Sequence, residues 1–165
     1  MRRQARVQLE MGGKNPLVVL DDADLERAVA IALDGAFFQT GQRCTASSRI
    51  IVQDGIHDRF VVALAARAAA LKVGPALDPA TQVGPASSDT QLEQNLRYVR
   101  IATDEGGRLV TGGKRIVRPG FFVEPAIVVA RGEWKIVKTE TFGPVLYLIP
   151  FHDLAAQAPA HREEV

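Results

Sequence analysis

One thiol and one carboxylate stand out in this chain. Cys44 is the only cysteine among 165 residues, and it lies in Gly41-Gln42-Arg43-Cys44-Thr45-Ala46-Ser47-Ser48. Upstream, Glu10 lies in Leu9-Glu10-Met11-Gly12-Gly13-Lys14. A thiol attacks as its thiolate, and an ordinary cysteine is only slightly ionised at neutral pH. A carboxylate held nearby takes that proton or later activates a water. The small residues beside both groups let a substrate approach the backbone closely. Against this stands the plain alternative that a lone cysteine is a small buried hydrophobe. Glu10 alone is equally an ordinary solvated carboxylate. The polar, turn-like neighbours of Cys44 favour a loop over a core position.

Composition sets the frame for that pair. Apolar residues make up 47% and charged residues 24% of the chain, ordinary values for a globular domain with a real core. Net charge is +1, from 20 basic and 19 acidic residues. No electrostatic footprint for nucleic acid or an anionic membrane follows from that balance. A single cysteine excludes an internal disulfide, so a cytoplasmic location is expected. His57, His152 and His161 are far apart, and no metal site is expected from their spacing. No apolar run approaches a membrane span.

The elements that must position Cys44 and Glu10 alternate along the chain. Residues 16–20 read as a buried strand, followed by a helix capped by Asp22 or Asp24 and running to about Phe38. Gly41 breaks that helix. Residues 48–53 read as a second strand, and 56–71 as a second amphipathic helix. A long loop is expected over 73–88, where Gly74, Pro75, Pro79, Gly84 and Pro85 cluster. A third helix is expected over 90–105 and a short strand over 108–111. The stretches 121–123 and 126–129 are strand-like, 136–137 reads as a short extended piece, and 145–149 as a final buried strand. Alternation of this kind predicts an α/β domain, a mostly parallel sheet with helices on both faces.

Three motifs in register then resemble the NAD(P)-dependent aldehyde dehydrogenases. They are Leu9-Glu10-Met11-Gly12-Gly13-Lys14-Asn15-Pro16, Gly41-Gln42-Arg43-Cys44 and Glu140-Thr141-Phe142-Gly143-Pro144-Val145. The resemblance runs over about residues 5–153 and implies that family's catalytic-domain fold. It implies that Cys44 is the nucleophile, adding to an aldehyde to give a thiohemiacetal and then a thioester, with its N–H helping to hold the oxyanion. Glu10 matches the base that activates water for hydrolysis. Glu140 matches the carboxylate that binds the nicotinamide ribose of NAD or NADP, Phe142 the aromatic support of that end, and Gly12 the backbone packed against it. Taken singly, Glu140 is a surface charge and Phe142 a core residue. Arg43 and Thr45 are the substrate-side candidates; Arg43 either attracts a carboxylated substrate or supports the loop.

The wording of the motifs resembles that of the α-ketoglutaric semialdehyde (2,5-dioxovalerate) dehydrogenases, with succinate semialdehyde dehydrogenases similar. An aldehyde, possessing an acidic group, is therefore the expected substrate. The resemblance also implies a separate dinucleotide-binding domain, for which no Gly-rich phosphate turn occurs here. Residues 1–154 are thus expected to form a catalytic domain without its cofactor domain, and 155–165 a divergent, disordered tail. A chain truncated in this way exposes apolar surface and sheet edges, so a homo-oligomer is expected. Two alternatives to an active enzyme remain open: a non-catalytic remnant or interaction fragment, and a subunit that works only when paired with a cofactor-binding chain.

Overall fold

The computed structural model describes residues 6–153, which leaves the expected tail at 155–165 outside the described residues. Its elements in chain order are β1 (Asn15–Val19), α1 (Leu25–Phe37), a 3-10 turn (Phe38–Gly41), β2 (Ser47–Gln53) and α2 (Asp54–Ala69). After these come α3 (Asp89–Asp104), β3 (Arg108–Thr111), β4 (Ala126–Val129), α4 (Lys135–Lys138) and β5 (Val145–Phe151). The strands form one sheet in the order β1-β2-β5-β4-β3. All neighbouring pairs are parallel except β3 with β4. The chain is therefore the α/β fold that its alternating pattern implies.

Both faces of the central strands are covered, which is why β2 and β5 read as unbroken apolar runs rather than alternating ones. Ile50 and Val52 of β2 and Leu146 and Leu148 of β5 pack with Val29, Phe60 and Leu64 from α1 and α2. The intervening residues Ile51, Tyr147 and Ile149 point the other way, against Val99 and Ala102 of α3 and Ile136 and Val137 of α4. At the start of α1, Asp24 Oδ1 accepts the Arg27 N–H at 3.0 Å, so Asp24 rather than Asp22 is the cap.

Three expectations change. The strand read as buried at 16–20 is an edge strand, with Val18 48% and Leu20 39% exposed, because only β2 pairs with it. Residues 121–123 add no strand to the sheet; Val123 makes an isolated bridge to Arg115. The short extended piece at 136–137 is one helical turn, α4. Its two apolar residues face the core between Lys135 and Lys138, a pattern too short to show a period. The loop after α2 is tied across itself by Gly74 N–H donating to Val83 O at 3.0 Å.

Candidate active site

The turn bearing Cys44 is strained and then tied down. After α1 the backbone enters the left-handed region at Gln39 (φ 51°), Thr40 (φ 61°) and Gly41 (φ 64°). For the two residues with side chains this costs about 1–2 kcal/mol each, so surrounding contacts must impose it. Gly41 could be nothing larger, since a Cβ there would meet the carbonyls of Gly143 and Ala36. The chain then turns, with Ala46 N–H donating to Arg43 O at 3.1 Å. Asn15 Nδ2 donates to Cys44 O at 2.6 Å and to Ala46 O at 3.2 Å. Cys44 itself is exposed, with a free thiol.

A second loop faces this turn. Glu140 Oε1 accepts the Gly13 N–H at 3.1 Å, and a Cβ on Gly12 would run into the Glu140 carboxylate. The structure thus brings Gly12, Gly13 and Glu140 together, as close backbone approach requires. Phe142 is also left-handed (φ 48°) and 42% exposed. Gly13, Gly41, Arg43, Glu140, Phe142 and Gly143 line the crevice between the loops. Its volume is about 10 Å3, room for about one water. Cys44 does not line it, although its neighbours Arg43 and Ala46 do; a larger hollow of about 530 Å3 beside Trp134 and Arg131 includes neither Glu140 nor any residue of the Cys44 turn. The chemistry, not the volume, marks the crevice as the candidate site.

The remaining candidates are placed as follows. Glu10 is exposed and its Oε1 accepts from Gln8 Nε2 at 3.1 Å; among the described residues no hydrogen bond joins it to the thiol. Arg43 Nη2 donates to Asp34 O at 3.2 Å and to Gly35 O at 3.0 Å, and the guanidinium lies over the Phe38 ring. Those bonds tie the turn to the end of α1. Thr45 is exposed beside Cys44. No group of three or more His, Cys, Asp or Glu side chains able to hold a metal occurs among the described residues, nor does a helix long and apolar enough to cross a membrane.

Lys14 was not singled out by its sequence position, although it adjoins the Gly12-Gly13 pair. Its Nζ is buried without a hydrogen-bond partner and sits 4.6 Å from the centroid of the Tyr147 ring. Burial pushes its pKa down to about 7, the nearby Arg49 charge adds to that, and the Glu140 carboxylate opposes it. An unfolded lysine titrates near 10.4. Between about 7 and that value the unfolded chain binds more protons, so stability rises with pH, by on the order of 1 kcal/mol per pH unit. The Tyr147 ring favours the ammonium and so narrows that pH window from below. Lys14→Met should therefore stabilise most below about pH 7, with the gain fading at alkaline pH. Urea midpoints for both proteins from acid to alkaline pH check this; parallel profiles would refute it.

Sequence reasoning also missed Asn15 and Gln42. Gln42 Nε2 donates to Pro85 O at 3.3 Å and its Oε1 accepts the Ser87 N–H at 2.8 Å. The usable signal was chemical: carboxamides flanking a reactive turn can hold loop carbonyls.

Comparison with known proteins bears on what this arrangement does. The model of the Aldehyde dehydrogenase family matches residues 1–158. A betaine aldehyde dehydrogenase of Cereibacter sphaeroides is 44% identical over 146 residues, covering 88% of this chain and 30% of that protein. The alpha-ketoglutaric semialdehyde dehydrogenase of Bacillus subtilis is 44% identical over 154 residues, covering 90% of this chain and 32% of that protein. A crystal structure of betaine aldehyde dehydrogenase from Staphylococcus aureus in complex with NAD+ matches with a TM-score of 0.84 and 40% identity. It is covered over 87% of this chain and 30% of that one. The chain spans about a third of the length of the curated relatives it matches.

Proposed function

The chain belongs to the aldehyde dehydrogenase family, and from that premise we propose that it supplies the thiol half of an NAD(P)-dependent aldehyde oxidation. The observation that carries this is the exposure of the sole thiol, Cys44, on a turn held by Asn15, whose neighbours Gly41, Arg43 and Ala46 line the crevice with Glu140. Cys44 Sγ adds to the aldehyde carbon, and its own N–H, which makes no hydrogen bond among the described residues, donates to the oxyanion. The residues around the crevice fit the nicotinamide–ribose end of a dinucleotide. Glu140 offers a carboxylate oxygen to the ribose hydroxyls, Phe142 an exposed ring, and Gly12 a backbone without a side chain. When bound, the dinucleotide supplies the hydride acceptor that converts the thiohemiacetal to a thioester. Glu10 then takes a proton from the water that attacks the thioester carbon, which releases the acid and restores the thiolate.

An acidic semialdehyde is the proposed substrate, from the motif wording and the Bacillus subtilis relative. Thr45 is proposed beside it, and Arg43, through its carbonyl bonds, as support of the turn. Residues 1–154 are proposed as the catalytic domain. Self-association is proposed through the exposed edge of β1, which carries Val18 and is followed by exposed Leu20; a monodisperse monomer in light scattering would refute it. A second reading, a folded but silent fragment, is favoured by the crevice of about 10 Å3, which by itself seats no dinucleotide.

Formation of reduced nicotinamide, with 2,5-dioxovalerate, succinate semialdehyde and betaine aldehyde against both cofactors, tests the proposal and ranks the substrates. No signal with any pair leaves the silent reading. Where turnover occurs, Glu10→Gln should keep a single-turnover burst of reduced cofactor and lose the steady state by about 10^2–10^4-fold. An unchanged steady state removes Glu10 from the mechanism.

A further inference from the structure

One face of α3 grips the loop that carries Glu140 and Phe142. Gln91 Nε2 donates to the Thr141 carbonyl at 3.1 Å and to Asn95 Oδ1 at 3.0 Å. Gln94 Nε2 reaches the same carbonyl at 3.5 Å, a long contact of little strength. Asn95 is fully buried, and a Cβ on Gly143 would collide with its carboxamide. Amides at 91 and 95 share a helix face because they are four residues apart. Asn95 Nδ2 is buried without a hydrogen-bond partner, a desolvation cost that leucine there would avoid; its Oδ1 accepts from Gln91, which holds the Thr141 carbonyl.

The same end of α3 also carries the thiol turn. Gln42 bonds to Pro85 and Ser87, just ahead of the helix, while Ser88 Oγ caps it by accepting the Gln91 N–H at 3.1 Å. Gly41 meets the Gly143 carbonyl without room for a side chain. Both loops therefore rest on one frame.

We propose that Gln91 is a positioning residue: by donating to the Thr141 carbonyl it fixes where the Glu140 carboxylate stands relative to Gly13 and the Cys44 turn. The inference rests on the proposed dinucleotide role of Glu140. Gln91 does not line the crevice, so its effect is read at Gly13, whose N–H donates to Glu140.

Amide hydrogen exchange of the full chain provides the test, with Gln91→Met and Gln91→Lys. Methionine has a similar length and volume but no donor, whereas lysine keeps one. Gln91→Met should reduce protection at Gly13 about fivefold, the effect of one neutral hydrogen bond, with Leu64 of α2 unchanged. Gln91→Lys should restore it, and Glu140→Ala sets the floor. Protection at Gly13 unchanged in Gln91→Met overturns the proposal. Equal losses at Gly13 and Leu64, or equal losses at Gly13 in both Gln91 variants, overturn it too. If Gln91→Met does not fold, Gln91→Lys decides alone: wild-type protection supports the proposal and loss refutes it. Iodoacetamide labelling of Cys44 in the wild-type chain separates the two ideas. A native thiol slower than the unfolded reference removes the nucleophile role and leaves the exchange result standing.

Discussion

Under the proposed function, Cys44→Ala should lower aldehyde-dependent formation of reduced nicotinamide by about 10^4-fold or more, the scale on which loss of a nucleophile acts. The reason is chemical rather than structural. No second thiol exists in the chain to take over, and the oxygen of a serine is a far weaker nucleophile near neutral pH. Cys44 is exposed and its side chain supports no core contact, so the variant should unfold at the wild-type urea concentration. The paired measurement is steady-state turnover together with the urea midpoint. Residual turnover within tenfold of wild type would show that the aldehyde is oxidised without the thiol. A lowered midpoint would show that Cys44 also holds the fold.

Phe60→Ala should lower the unfolding free energy by about 3–5 kcal/mol. Phe60 is fully buried on α2, in the layer that joins α1 and α2 to Ile50, Val52, Leu146 and Leu148. Removing the ring forfeits its transfer from water and leaves a void that the strands, covered on both faces, cannot collapse to fill. Domains of this kind are stable by only about 5–15 kcal/mol, so the urea midpoint should fall by about a fifth or more. A drop below about 1 kcal/mol would mean that this layer repacks freely. It would also mean that the sheet, rather than the α1–α2 layer, holds the thiol turn in place.

The two variants probe parts of the molecule that were unequally visible in the sequence. The sheet and its long helices were legible because burial imposes periods: the runs at Ile50–Val52 and Val145–Ile149, and the helical spacing that follows Asp24. The positions of Cys44 and Glu140 were legible as motifs. What holds them was not. Asn15 reaches Cys44 across 29 positions, and Gln91 reaches Thr141 across 50. An amide gives no sign of which distant carbonyl it will meet. The left-handed run at Gln39 and Thr40 was hidden for the opposite reason, since neither residue type favours that conformation. The exposed side of β1 escaped notice because apolar residues at an edge resemble those of a central strand.

A lone, accessible sulfur also limits the stoichiometry of oxidation. With Cys44 the only thiol in the chain and exposed, a mild oxidant can link one copy only to one other, through Cys44 to Cys44. Covalent assembly therefore ends at two chains, and each such pair has consumed both of its thiols. Band counting on a non-reducing gel then doubles as a titration of the sites still able to react.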